Sequence, residues 1–399
     1  MNYFKQFDWK RYNYSLIIVV IILCLISAFS VKLAGGEEHG ASFFKAQIFG
    51  LIGGIIVLAI VSVIDYHFIC KFAAILYLMG VGMVAATRYT SLGTDNHTKT
   101  WRWLNIGGFT FQPSELAKII IILVLSTFYM KMRKKIDRFY VLVLAGIITA
   151  IPTLFILKQP DLSSSMVVMF IFAILVFASG TTYKILIPII AVMIPAIPAL
   201  LWYVQQPFQK LLNTYQYGRV MSYLHPELDN NDLLYQQEVA KRAIASGKLY
   251  GKFLEDGGSQ ARVYSQSQLP VAESDFVWAV IGEEFGFLGS CIVLGLLVIV
   301  IGKCLSVAHK AQDYLGMMIA TGVGAMLAFQ VFANIGVATS LLPNTGLPLP
   351  FLSKGISSMM SGMIAIGLVV NVGIQPAKSS RGGFSMRGNN DIDVELDLE

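Results

Sequence analysis

Long apolar runs separated by short polar turns dominate the chain. A helix needs roughly 20 mostly apolar residues to cross a bilayer, and ten runs approach that length. The pattern therefore predicts an all-α polytopic membrane protein with ten transmembrane helices and both termini on the same side. The ten predicted helices cover about residues 14–34, 44–64, 68–86, 114–131, 139–157, 164–180, 183–204, 276–303, 314–339 and 357–374.

One polar stretch is too long to be a simple connector. Residues 205–274 lie between the seventh and eighth runs and are rich in Gln, Arg, Tyr, Asp and Gly. We expect this large loop to cover a site beside the membrane domain, which we place at 14–375. Residues 1–13 form a short terminus. Residues 376–399 are rich in Gly and Ser and end in acids, which is typical of a disordered tail, although a docking peptide is an alternative.

The charge pattern indicates topology rather than a nucleic-acid partner. The chain is 55% hydrophobic and 14% charged, with a formal net charge of +6. Many Lys and Arg residues fall in short loops on one side, above all in Lys131–Arg138. Because cytoplasmic loops carry an excess of Lys and Arg, we expect that side, with both termini, to be cytoplasmic. The four cysteines show no C-x-x-C spacing, which favours buried free thiols.

Two glycine patterns resemble nucleotide motifs but lack their context. The sequence from Gly80 to Ala85 matches a dinucleotide fingerprint inside a membrane helix, where no strand precedes it. Close helix packing is the better explanation. The sequence from Gly247 to Lys252 has too few residues between its glycines for a phosphate loop.

Three acids occur where an apolar helix begins. Asp275, Glu283 and Glu284 follow the long polar loop, and an acid at membrane depth is costly unless it is solvated, paired or functional. Eight helical residues span about 12 Å, so Asp275 and Glu283 are too far apart for a glycosidase-type carboxylate pair. Asp275 is therefore the candidate lone general base. Glu283 and Glu284 are expected to pair with polar or basic groups of other spans.

Further charges occur in loops on the side opposite the termini, which is the predicted outer side and also carries Asp275. Arg102 is suited to holding a phosphate through paired hydrogen bonds. Glu115 and Lys118, three residues apart after Gln112–Pro113, form either a structural pair or a charged wall of a cavity. Asp161 either caps the following helix or lines the same cavity.

The long loop and the last loop add four cations. Arg219, Lys248 and Lys252 suit either an anionic ligand or contact with solvent and lipid headgroups. The loop 341–358 contains three prolines and two glycines, which favours a rigid broken-helix loop over a cavity. Lys354 adds a positive charge to that loop.

Taken together, these stretches resemble the SEDS family, the shape, elongation, division and sporulation proteins related to RodA, FtsW and SpoVE. The resemblance spans about residues 14–375 in family order. It rests on Gln112–Lys118, Gln159–Asp161, Tyr215–Gln216 with Arg219, Ala243–Ile244 with Ser246–Gly247 and Gly251–Lys252, Asp275–Phe276 with Glu283–Glu284 and Gly286, and Pro343–Ser353.

The resemblance implies a peptidoglycan glycosyltransferase that polymerises lipid II at the outer face of the cytoplasmic membrane. Asp275 matches the family's essential acid and would deprotonate the acceptor hydroxyl. Attack on the α-linked donor would give a β-1,4 link with inversion. The leaving diphosphate would be neutralised by Arg102, Arg219, Lys118, Lys354 or a divalent cation (Mg²⁺ or Mn²⁺). Membrane lipids surround the protein, and a class B penicillin-binding protein is the implied partner.

Departures from the family pattern surround this expected site. The chain has Val239–Ala240 where the family commonly has Gln-Ser, and Lys241–Arg242 where it has apolar residues. Lys248 replaces a glycine, and Lys354–Ile356 replaces Tyr-Gly-Gly. Two alternatives therefore remain open: a lipid II flippase, for which intramembrane acids and broken helices are also suited, and a non-catalytic scaffold for the crosslinking partner.

Overall fold

The computed structural model describes residues 7–94, 101–107, 109–206, 208–210, 214–228, 234–256, 261–266 and 269–376. The predicted disordered tail lies outside these residues, apart from Pro376. Helices predominate throughout the described chain.

Eight helices precede the long loop. Several begin at residues whose side chains cap them: Asn13 accepts a hydrogen bond from Leu16 N, Asp65 from His67 N and Asp161 from Ser164 N. Such caps satisfy backbone N–H groups that have no partner inside the helix. These helices are α1 (Tyr14–Ala34), α2 (Gly36–Val63), α3 (Tyr66–Lys71), α4 (Ala73–Tyr89), α5 (Pro113–Lys131), α6 (Phe139–Lys158), α7 (Leu162–Ala178) and α8 (Tyr183–Val204).

Seven helices follow in the described part of the chain, of which the first four are short and lie within the long loop. They are α9 (Thr214–Leu224), α10 (Tyr235–Ser246), α11 (Lys252–Asp256), α12 (Val263–Gln266), α13 (Val277–His309), α14 (Tyr314–Ala338) and α15 (Ile356–Ile374). Each predicted span falls on helical residues, but the third, 68–86, covers the end of α3 and most of α4, which are separated at Phe72. Among the described residues, eight helices are long and apolar enough to cross a membrane, and α4 and α7, at 17 residues, are shorter apolar helices. The total of ten crossings stays a prediction.

Three helices form the centre of the bundle. The share of buried residues in an 18-residue apolar segment is 83% in α5 and 72% in both α14 and α15, whereas it is only 6% in α8. Small residues bring neighbouring helices close together. A Cβ on Gly54 of α2 would lie 2.8 Å from Met363 of α15, and one on Gly80 would lie 3.0 Å from Ile120. Gly80 therefore serves helix packing, as predicted. Gly82 does not, since nothing lies within 4 Å of its added Cβ.

Contacts group the basic loops at one face, which we call the N-terminal face. Lys303 Nζ donates to Ser15 Oγ at the start of α1, with a distance of 2.7 Å. The guanidinium of Arg133 lies 4.8 Å from the ring centre of Tyr314. Thr182 N donates to Asp137 Oδ1. The predicted grouping of these loops is therefore confirmed. The opposite face, where α1 ends at Ala34, is called the loop face.

The loop face carries a small sheet that the sequence interpretation missed. Its strands are β1 (Gly93–Thr94), β2 (Trp103–Ile106) and β3 (Phe109–Phe111), all antiparallel in the order β1-β2-β3. The all-α prediction therefore holds for the bundle but not for this loop. Period-two alternation in strands this short is too brief to recognise in the sequence.

The eighth predicted span is not one straight membrane helix. Gly286 has φ 66° and ψ −164° and divides α13 into a first half, Val277–Phe285, and a second half that ends at His309. The carbonyl of Asp275 accepts from Asn334, about one turn before α14 ends. The ring of Phe285 lies 6.0 Å from that of Phe29, about one turn before α1 ends. The first half therefore lies across the loop face, between the ends of two helices.

The cysteines are free, as expected. Cys24, Cys70 and Cys304 are buried. Cys291 is exposed, which corrects the prediction that all four are buried, because it lies on the outward side of the second half of α13.

Candidate active site

Asp275 occupies a turn that the last loop holds in place. Asp275 N donates to the carbonyl of Val271 (3.1 Å), and Val271 has a left-handed φ of 52°. Asn334 Nδ2 donates both to the carbonyl of Asp275 (2.8 Å) and to that of Leu347 (2.7 Å). Since Asn334 lies on the rigid helix α14, this pair of hydrogen bonds fixes the turn relative to the bundle and to the 340–355 loop.

Two further hydrogen bonds tie the turn to that loop. Ser353 Oγ donates to the carbonyl of Ser274 (2.5 Å), and Lys354 N donates to the carbonyl of Glu273 (2.8 Å). Ser353 Oγ also accepts from Leu349 N. The carboxylate-bearing turn is therefore held from the loop side as well, which is the kind of support that preorganises a catalytic group.

The Asp275 carboxylate is half-buried and faces positive charge. A Cβ placed on Gly346 would lie 3.0 Å from Asp275 Oδ2 and 3.7 Å from Arg219 Nη1. The carboxylate and the guanidinium are therefore at most about 7 Å apart. Gly346 has φ 67°, so a glycine is favoured there by backbone conformation as well as by space.

Burial raises the pKa of Asp275 above its ordinary value. The positive charges of Arg219 and Arg102 and a hydrogen bond with Ser274 act in the opposite direction, while the charge of Asp161 raises the pKa further. The net pKa is raised, because loss of solvent outweighs the arginines. A carboxylate with a raised pKa is a stronger base than an ordinary aspartate and is suited to accept a proton.

Arg102 and Asp161 meet at the turn between α6 and α7. Arg102 Nε donates to the carbonyl of Gln159 (3.2 Å), and its Nη2 donates to that of Pro160. Asp161 accepts from Ser164 N (3.0 Å) and Ser164 Oγ (2.8 Å) at the start of α7. Asp161 is thus a buried helix cap, and its negative charge also raises the pKa of Asp275.

Arg219 and Asn344 border a small cavity beside this cluster. The cavity has a volume of about 20 Å³, room for one water molecule, and its lining includes Pro160, Arg219, Asn344 and Thr345. Arg219 Nη1 donates to the carbonyl of Asn344 (3.3 Å). The sequence interpretation missed Asn334 and Asn344. A single Asn in the apolar sequence of α14 was the signal that could have identified the first of them.

Glu115 and Lys118 form a buried ion pair. Lys118 Nζ donates to Glu115 Oε1 (2.8 Å), and the side chains are 1% and 3% exposed. Ser361 Oγ of α15 donates to Glu115 Oε2 (3.2 Å). The structural reading of this pair is therefore supported, because it joins α5 to α15 inside the bundle.

Of the other predicted cations, two lie away from Asp275 and one lies beside its turn. Lys252 Nζ pairs with Glu283 Oε1 (2.5 Å) near the kink end of the first half of α13, and Lys248 is exposed beside it. Lys354 Nζ lies 3.4 Å from Glu273 Oε1 and 3.1 Å from the ring centre of Phe43. Lys248 and Lys252 therefore lie at the opposite end of the first half of α13 from Asp275, because both meet α13 at the kink. Lys354 lies next to the turn that carries Asp275, where its charge is paired with Glu273.

Glu283 and Glu284 are fully buried and paired, as expected, but with a different partner. Arg262 binds Glu284 through both carboxylate oxygens (2.8 and 2.9 Å), and Tyr264 OH donates to the same carboxylate (2.7 Å). Glu283 also accepts from Val263 N (2.6 Å). The partners therefore come from the long loop and not from other spans. The two acids hold that loop on the first half of α13.

Candidate metal ligands are few among the described residues, where no cluster of three or more His, Cys, Asp or Glu side chains could hold a metal ion. Mg²⁺ is commonly held by one or two carboxylates together with substrate phosphates. Asp275 and Asp161 would suit that arrangement only with a phosphate-bearing substrate bound.

The fold and this site define a polytopic helical membrane protein that presents the Asp275 carboxylate, on a fixed turn, together with Arg102 and Arg219 at one face. A family model described as "Cell cycle protein", that of FtsW, RodA and SpoVE, matches residues 10–378. The chain belongs to this family. The resemblance inferred from its motifs is thereby confirmed.

Relatives in the family agree along nearly their whole length. The chain is 31% identical to the probable peptidoglycan glycosyltransferase FtsW of Trichlorobacter lovleyi, covering 92% of this chain and 94% of the relative. It is 30% identical to peptidoglycan glycosyltransferase MrdB of Escherichia coli K12, covering 92% and 95%.

Solved structures agree as well. One, from work titled as the structural coordination of polymerization and crosslinking by a peptidoglycan synthase complex, has a TM-score of 0.75 at 26% identity over 92% of this chain and 98% of the other. The rod shape determining protein RodA of Thermus thermophilus has a TM-score of 0.64 at 22% identity, over 92% and 98%. The second similarity supports the fold alone.

Proposed function

We propose that this protein is a peptidoglycan glycosyltransferase that polymerises lipid II into β-1,4 glycan strands, with Asp275 as general base. The observation that carries the proposal is the Asp275 carboxylate, which has a raised pKa beside Arg219 and stands on a turn whose backbone carbonyls are held by Asn334 and Ser353. Its relatives named peptidoglycan glycosyltransferases, aligned over more than nine-tenths of the chain, support the substrate class.

The reaction follows from that geometry. Asp275 removes the proton from the 4-hydroxyl of the acceptor sugar as that oxygen attacks the anomeric carbon of the donor. The bond to the lipid diphosphate breaks, and the diphosphate leaves with the electron pair. Because attack and departure occur on opposite faces, the α-linked donor gives a β-linked product. Arg219 and Arg102 stabilise the negative charge that develops on the diphosphate.

A divalent cation is a further proposal for the same step. Mg²⁺ or Mn²⁺ bound to the substrate diphosphate would neutralise charge on the leaving group. Asp161 and Asp275 are the carboxylates of the site that suit such a cation.

The lipid chains fit the apolar interior of the bundle. A cavity of about 150 Å³ opens between α2, α3, α4, α5 and α15, and only apolar side chains line it. Its lining residues Leu116 and Ile119 flank Lys118. We assign it part of the polyprenyl chain, whose headgroup would then reach the loop face.

Orientation and partner complete the proposal. The N-terminal face carries the basic loops, so by the excess of positive charge in cytoplasmic loops it is cytoplasmic, and the loop face is outward. Both termini are then cytoplasmic. A class B penicillin-binding protein that crosslinks the new strand is the proposed partner, supported by the structural similarity to a chain from a complex of polymerization and crosslinking.

The test is polymerisation of lipid II by the purified protein with its partner in proteoliposomes. Asp275→Asn should form no glycan while remaining folded. Glu273→Gln, a matched carboxylate change in the same turn, should retain polymerisation. Full polymerisation by Asp275→Asn would refute the base assignment. Movement of lipid II across the bilayer without polymer would support the flippase alternative, and rescue of cell growth by Asp275→Ala would support the scaffold.

A further inference from the structure

One turn of the long loop lies directly beside the membrane half of α13. We call residues Lys248–Leu254 the tip. Phe287 N donates to the carbonyl of Lys248 (2.9 Å), and Leu288 N donates to that of Leu249 (3.1 Å). A Cβ on Gly251 would lie 2.2 Å from the carbonyl oxygen of Glu284. The tip therefore meets α13 at the kink, where its apolar second half begins.

The depth of the tip follows from its contacts with α1. The ring of Phe253 lies 5.2 Å from that of Phe29. Phe29 precedes the end of α1 at Ala34 by five residues, or about 7 Å along the axis. The hydroxyl oxygen of Tyr264, ten residues after the tip, lies 3.3 Å from the carbonyl oxygen of Leu33. The tip thus lies level with the last turns of a membrane-length helix and not above them.

The outward side of the tip is apolar. Leu249, Tyr250 and Leu254 are 46, 52 and 68% exposed, and Phe287 beside them is 64% exposed. A patch of this kind on a loop in water would be unfavourable. It is continuous, through Phe287, with the exposed apolar side of the second half of α13, which is suited to lipid. The observations therefore favour a bilayer as the occupant of this surface.

Lys248 stands at the edge of the same patch. It is exposed and has a left-handed φ of 47°, a conformation that favours glycine, and the family pattern has glycine here. A lysine at the edge of an apolar patch can extend its charged end to headgroup phosphates while its stem stays in the apolar region. The strained lysine is therefore a second observation that points to the lipid interface.

We propose that the tip is an interfacial membrane anchor, with Leu249, Tyr250 and Leu254 in the acyl region and Lys248 at a lipid phosphate. The buried pair of Lys252 with Glu283 ties this anchor to the first half of α13, which starts directly after Asp275. The anchor thereby fixes the height of Asp275 above the bilayer. The role of Asp275 as a base rests on the proposed function.

A depth measurement tests the anchor without reference to activity. A spin label is placed at Leu254 in a Cys291→Ser background, so that the exposed native cysteine does not react, and the protein is reconstituted in vesicles of phosphatidylcholine and phosphatidylglycerol. The label should be accessible to oxygen and protected from a water-soluble nickel chelate. A control label at Glu227, which is exposed in the same loop, should show the reverse. A label at Tyr250 repeats the measurement should Leu254 not tolerate substitution.

Each other outcome overturns the proposal. Accessibility of the Leu254 label to the nickel chelate would place the tip in water. Protection from both reagents would indicate coverage by protein, either a second copy or the crosslinking partner. Lys248→Glu should move the Leu254 label toward water, whereas Lys241→Glu, on α10 and seven residues earlier in the chain, should move it less. Equal effects of the two charge reversals would refute the role of Lys248. Absence of polymerisation by the unsubstituted protein, with the Leu254 label at the expected depth, would count against the proposed function only.

Discussion

Replacing Arg219 by Gln removes the positive charge that most strongly lowers the pKa of Asp275. The carboxylate already has a raised pKa because of burial, so removing the guanidinium raises the pKa further. At most about 7 Å separate the two groups. At that distance a pair of unit charges interacts by about 2 kcal/mol at an effective dielectric constant of about 20, and by about 0.6 kcal/mol in bulk water.

These energies set the size of the expected shift. Since one pKa unit corresponds to about 1.4 kcal/mol, the pKa of Asp275 should rise by roughly 0.5 to 1.5 units. A general base acts in its deprotonated form, so activity is lost as the pH falls through this pKa. The acidic limb of the profile of kcat/KM against pH should therefore move to higher pH in Arg219→Gln by the same amount.

The assay is the rate of lipid II polymerisation in proteoliposomes over a series of pH values. Arg88→Gln is the matched control, because Arg88, like Arg219, donates to a backbone carbonyl, that of Lys158, yet is not among the groups that shift the pKa of Asp275. A uniform loss of rate without a shift would mean that Arg219 serves only the diphosphate. A shift to lower pH would refute the electrostatic reasoning.

Three further changes test other parts of the site. Gly346→Ala forces a Cβ into a left-handed position 3.0 Å from the carboxylate of the candidate base. Polymerisation should fall at least about tenfold, because even a displacement below about 1 Å disturbs the attack geometry, while stability should fall only by the roughly 1–2 kcal/mol that an alanine costs in the left-handed region. Glu115→Gln or Lys118→Met alone should cost about 3–5 kcal/mol by stranding a buried charge, and the double variant should recover part of it in thermal unfolding; additive losses would contradict the pairing. Arg262→Met leaves Glu284 buried without its bidentate partner, so limited proteolysis should cut the long loop faster, and an unchanged rate would contradict its role in holding the loop.

Apolar periodicity predicted the bundle well because bilayer thickness sets helix length. Asn13, Asp161 and Pro113 mark helix starts in the sequence through local chemistry, and the structure uses all three. The break at Gly286 could not be predicted. The apolar sequence continues on both sides of it, and the reason for the break is a close backbone approach by Gly251 from a loop distant in sequence.

The site was also predicted only in part, because local signals are present in the sequence and contacts between distant segments are not. Asp275 is recognisable as an acid at the start of an apolar helix, and Arg102, Arg219 and Asp161 join it electrostatically in the structure. Lys252 looks like a ligand-binding cation in the sequence, but its partner Glu283 becomes apparent only when the long loop folds onto α13. Pairings between distant segments carry no local signal, so sequence patterns alone leave them open.

The division of α13 at Gly286 makes this glycine a natural junction for chimaeras between family members. On one side lie the long loop, the first half of α13 and the ion pairs of Glu283 and Glu284, which hold these parts to each other. On the other side lies a membrane helix that packs with α1 and α14. Exchanging everything from the long loop up to Gly286 keeps each buried charge with its own partner. A junction placed a few residues earlier would separate them.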